Sequence, residues 1–60
     1  MTKEVVVVLT GTDAQGIDVV TSGSGSDIKA AYQDLATKTD ALLPIAGSIE
    51  VKDVIITTKP

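Results

Sequence analysis

Glu4-Val5-Val6-Val7-Val8-Leu9-Thr10 decides the fold of this chain. Consecutive β-branched residues lose rotamer freedom in a helix and pack well on a pleated surface, so the run from Lys3 to Thr10 reads as a strand. Its five adjacent apolar side chains do not alternate with polar ones. Both faces of such a strand are expected to be covered or nearly so, which places it in the middle of a sheet.

The neighbouring segments fit around that strand. Gly11-Thr12-Asp13-Ala14-Gln15-Gly16 has glycine at both ends and Asp inside, a turn signature. Ile17 to Thr21 follows as a short second strand, close enough to form a hairpin with the first. Ser22-Gly23-Ser24-Gly25-Ser26 reads as a flexible joint, and its regularity is also that of an engineered linker. From Asp27 to about Ala41 the positions Ile28, Ala31, Tyr32, Leu35, Thr39 and Leu42 recur on one stripe at helical steps, with Lys29, Gln33, Thr37 and Asp40 opposite. Ser26 or Asp27 caps the start. Asp34 and Lys38 form an i,i+4 pair, and Pro44 is expected to end the helix by forcing Leu43 out of helical geometry.

The last segment, Ile49 to Thr58, is rich in β-formers but changes parity at Lys52-Asp53. Ile49 and Val51 share one parity, and Val54 and Ile56 share the other. A β-bulge at Lys52-Asp53 would restore one apolar face; two separate short strands are the alternative. The expected architecture is therefore α+β, a single domain over residues 1–60 in the order β-β-α-β. It has one three-stranded sheet, in order 2-1-3, with a single helix packed on one face. The second and third strands run parallel, joined by a helical crossover of right hand.

The residue alphabet narrows the function. The 60 residues include no His, Cys, Arg, Asn, Trp or Phe. Disulfides and Cys/His metal sites are excluded, and no nucleophile–base pair can be assembled from Ser, Thr and Lys without burial that so small a fold hardly provides. The chain is read as no enzyme, with no cofactor. Asp13, Gln15 and Asp18 are too few oxygens for Ca2+ and read as an ordinary turn. Glu50 and Asp53 read as solvated strand charges that guard an edge rather than as an acid/base pair. The net charge of −3 is mild and dispersed, with no basic stripe, so no nucleic-acid surface is expected. The apolar run after Met1-Thr2-Lys3-Glu4 is too short for a signal peptide or a membrane span, and a cytoplasmic location is the expectation.

Size and patterning then point to association. A chain this short buries only about 60 % of the surface its unfolded form exposes. Small domains are usually reinforced by disulfides, metal or a partner subunit, and here only the partner remains. One helix cannot cover both faces of an all-valine strand. The bare apolar surface is assigned to Val6, Val8, Val20, Val54 and Ile56, as the interface of a homo-oligomer, most simply a dimer. At ~25 cal/mol per Å2, hiding such side chains is worth several kcal/mol per subunit.

Compact, acidic, Cys-free chains of this layout resemble small accessory and inhibitor proteins of phages and mobile elements, a likeness of architecture that involves no specific motif. It implies a non-enzymatic interaction protein that acts by binding a larger protein partner. A structural subunit of a repeating assembly such as a virion is the alternative, its edge strands joining successive copies. A more distant alternative is an anion- or nucleotide-binding module using Gly23 to Ser26 ahead of the helix; the loop lacks a basic residue, and Asp27 puts negative charge where a phosphate would sit.

Overall fold

The computed structural model describes residues 3–59; Met1 and Thr2, read above as part of the N-terminal segment, and Pro60 lie outside them. The elements are β1 (Glu4–Asp13), β2 (Asp18–Gly25), α1 (Ile28–Ala46) and β3 (Ile49–Lys59). They form one three-stranded sheet in the order β2-β1-β3, with β1 antiparallel to both neighbours. The expected α+β architecture and strand order are those of the molecule.

The β1–β2 hairpin is longer than the sequence suggests. β1 continues through Gly11 to Asp13, and the turn is confined to the residues after it. Asp13 organises that turn: its Oδ1 accepts the amides of Gln15 and Ile17, each at 2.9 Å, while its own N–H donates to the Ile17 carbonyl. The carboxylate thus serves as an Asx-turn cap.

Ser22 to Gly25 form no flexible joint. They are the second half of β2, paired with Val8 to Val5 of β1. The glycines are there because the helix lies on them. A Cβ at Gly23 would collide with the Leu35 amide nitrogen and the Ala31 carbonyl oxygen, and would sit 2.7 Å from Leu35 Cα. Glycine in a strand often marks such a close backbone approach, which composition alone cannot distinguish from a linker.

α1 starts where expected. Asp27 is its N-cap, with Oδ1 accepting the Ala30 amide at 2.8 Å. It does not stop before Pro44, which lies inside the helix. Pro44 has no N–H to offer the preceding turn, yet the helix continues to Ala46 because its end is tied down twice. The Gly47 N–H donates to Leu43 at 2.8 Å, and the Ala14 amide of the hairpin turn donates to the Ala46 carbonyl at 3.2 Å. Ala46 itself is buried. Those anchors offset the single hydrogen bond that proline removes.

β3 is one continuous bulged strand. Thr10 pairs with Asp53 and Gly11 with Val51, so Lys52 is the extra residue. The bulge falls beside Gly11, where an added Cβ would strike the Glu50 carbonyl oxygen and lie 3.1 Å from its carbon. Across the bulge Ile49, Val51, Val54 and Ile56 share one face, as the broken alternation requires.

The core is small. Val5, Val7, Ala31 and Leu35 are buried together, with Leu9 packed at their margin. Thr21 seals its edge: Thr39 Oγ1 donates to the Leu35 carbonyl at 2.7 Å, so its contact with Thr21 Oγ1 at 3.2 Å has Thr21 as donor. α1 packs chiefly over β2 and less over β1. That leaves β3 without a cover.

Candidate interaction surface

Directly opposed residues of an antiparallel pair share a face, so the registers sort the side chains. Val5, Val7 and Leu9 face the helix. Their β2 partners are Gly25, Gly23 and Thr21, and their β3 partners are Thr58, Ile56 and Val54. The other face carries Val6 between Ser24 and Thr57, Val8 between Ser22 and Ile55, and Thr10 between Val20 and Asp53.

The five residues read from the sequence as one apolar patch are therefore divided. Val6, Val8 and Val20 lie on the open face, while Val54 and Ile56 lie on the helix side. Ile55, of the other parity, is the β3 residue that joins Val6 and Val8. Parity beyond a bulge is fixed by which residue is extra, and only the pairing supplies that. The open face is also more polar than an all-valine strand suggests, because β2 contributes Ser22 and Ser24 to it.

Exposed apolar side chains are spread over the hairpin, with Ile17 and Val20, the helix, with Ile28 and Ile45, and β3, which carries four of them in one strand. From Glu50 to Lys59 every residue of that strand is exposed, on both faces. Val51, Val54, Ile55 and Ile56 have 39 to 53 % of their surface open to solvent. Seated on β2, the helix reaches too short a distance across the sheet to cover Val54 and Ile56. Tyr32, which its place on the helical stripe assigns to the core with its hydroxyl at the rim, is 41 % exposed.

The polar candidates are engaged locally. Asp34 Oδ2 accepts the Ser24 main-chain N–H at 3.0 Å and the Lys38 ammonium at 3.1 Å. These two partners, the Ser24 amide foremost, hold the Asp34 carboxyl below the usual Asp value. Gly23 to Gly25 thus form a strand edge whose central amide already has an anion, the Asp34 carboxylate. Asp53 Oδ1 accepts the amide of Val54 at 2.9 Å. The bulged Lys52 reaches Asp18 on β2 at 3.5 Å, on the face that also bears Glu50. Among the described residues there is no grouping of carboxylates able to hold a metal ion, no enclosed pocket, and no helix long and apolar enough to cross a membrane.

Comparison with known proteins found no matching family model, no matching curated protein and no matching solved structure.

Proposed function

We propose that this chain is a small non-enzymatic interaction protein that self-associates through its sheet and acts by occupying a surface of a larger protein partner. The accessory and inhibitor proteins of phages and mobile elements, working in the cytoplasm, are the type it fits. The observation that carries this reading is β3, exposed on both faces from Glu50 to Lys59 with four large aliphatic side chains in that stretch.

The shape of the chain supports it. A 60-residue globule has an expected radius of gyration of about 10.4 Å, against 12.2 Å here. Its accessible surface, 4065 Å2, exceeds the roughly 3,700 Å2 expected for a monomer of this mass. Surface left uncovered by the fold is surface available to a partner.

A repeating assembly would need two free sheet edges. The β2 edge has its Ser24 amide donated to Asp34, which favours a closed oligomer over an open one. Solution mass across a dilution series, with thermal unfolding at each step, tests the reading. A dimer whose melting temperature rises with concentration supports it. A monomer at every concentration removes self-association, and steady growth into larger species transfers the reading to a structural subunit.

A further inference from the structure

We propose that the partner seated on β3 is a second copy of this chain, its own β3 paired antiparallel to the first in the register centred on Ile56. The proposal rests on the self-association reading above and adds to it a surface and a register.

The two edges of the sheet differ. On β2 the Ser24 N–H points away from β1 and is taken by Asp34. Main-chain groups alternate in direction along a strand. Val6, opposite Ser24, therefore turns its N–H and C=O toward Thr57 of β3. Thr57 then faces β1, and Val54, Ile56 and Thr58 face outward. The Val54 amide, bonded to the Asp53 carboxylate, agrees with that assignment.

The register follows from the bulge and the charges. The bulge divides β3 into a short paired stretch, residues 49–51, and a longer uninterrupted one from Asp53 to Lys59. Folded on itself antiparallel, the longer stretch is used in full only about its midpoint, Ile56. Asp53 then opposes Lys59 of the second copy, Val54 opposes Thr58, Ile55 opposes Thr57, and Ile56 meets its own image. Every pair joins residues of one face, and opposite charges meet at both ends. Moving the centre to Ile55 sets Asp53 against Thr57; moving it to Thr57 sets Lys59 against Ile55. The outward groups of Val54, Ile56 and Thr58 supply roughly six main-chain hydrogen bonds across the axis. On pairing, the Thr58 carbonyl of the second copy takes the Val54 N–H, and Asp53 is released to Lys59.

The product is a sheet of order β2-β1-β3-β3-β1-β2, with both helices on one face and the Ile56 pair at its centre. Each copy carries roughly 400 Å2 of surface beyond the monomer expectation. Hiding surface of that order falls short of the roughly 1,000 Å2 that stable specific interfaces clear, so the dimer is weak and transient.

The chain has no cysteine, so single substitutions at these exposed positions report the register. Ile56→Cys is expected to form a disulfide-linked dimer under mild oxidation. Val54→Cys alone and Thr58→Cys alone place their thiols roughly 13 Å from their own images, beyond disulfide reach, whereas a mixture of the two cross-links. Asp53→Lys is expected to raise the dissociation constant about tenfold by sedimentation, and adding Lys59→Asp restores it. A wild-type dimer in which Ile56→Cys links no faster than Val54→Cys overturns the register while self-association stands. Wild-type protein that stays monomeric up to about 1 mM, where even a weak association of about 4 kcal/mol is half formed, overturns both.

Discussion

Replacing Gly23 by alanine adds one methyl group where the helix touches the sheet. Its Cβ would lie 2.7 Å from Leu35 Cα and nearer still to the Leu35 nitrogen and the Ala31 oxygen. Carbon atoms in contact prefer about 3.5–4.0 Å, so α1 must withdraw by roughly 1 Å. A gap of that size forfeits about a quarter to a half of each dispersion contact. The contacts at stake are those of Ala31 and Leu35 with Val5 and Val7, nearly the whole core. Overpacking of this kind costs about 1–3 kcal/mol. The loosened burial of Leu35, Val5 and Val7, each worth ~1.5–3 kcal/mol when complete, adds about as much again. Loss of glycine's freedom in the unfolded chain returns about 0.4–1 kcal/mol. The net expectation is a destabilisation of about 2–4 kcal/mol, against a total of about 3–9 kcal/mol for a chain of this length. The melting temperature should fall by roughly 10–30 °C. Thermal unfolding followed by circular dichroism, at one fixed dilute concentration, measures it. Gly16→Ala is the comparison: its Cβ meets nothing, but φ is 82°, a conformation costing about 1–2 kcal/mol for alanine. If Gly23→Ala melts within a few degrees of the parent, or above Gly16→Ala, the helix does not sit on β2 as described.

Further outcomes follow from the same geometry. Val7→Lys, at a fully buried position, should unfold the chain, while Val6→Lys on the open face should leave a folded protein; circular dichroism separates them. Asp34, held below its ordinary value of 3.8, stabilises the fold fully above that pH and loses its contribution as pH falls through the lowered folded-state value. The Ser24 amide resonance should titrate with it, and Asp34→Asn should abolish that response. Thr39→Val removes the acceptor of the buried Thr21 hydroxyl and should cost about 1–3 kcal/mol in urea unfolding, whereas the double variant with Thr21→Val should recover most of it. Deleting Lys52 removes the bulge yet leaves Val51 opposite Gly11 and Ile49 opposite Asp13, so both stay on the helix side and hydrogen-exchange protection at the amides of residues 49–51 should be retained.

The local sequence determined the elements and their order. Four adjacent valines need a central strand, a helical period needs a single apolar face, and the parity change at Lys52-Asp53 needs either a bulge or a break between two strands, which only the pairing with β1 resolves. Each of these needs follows from side-chain geometry within a few residues. Tertiary structure decided where the helix sits. The glycines of β2 are legible as strand residues only once Ala31 and Leu35 are seen resting on them, since a close approach and a flexible linker are written in the same letters. Pro44 is similar: it ends a helix in isolation, but here the Ala14 and Gly47 amides hold the final turn in place. The candidate surface shows the same division. The sequence required that some valines and isoleucines stay uncovered, because one helix cannot cover both faces of a sheet. That four of the uncovered ones lie on β3, with Val54 and Ile56 on the helix side and Ile55 on the other, was set by strand register and the offset of α1 toward β2. Those are long-range distances between backbones, and no single segment encodes them.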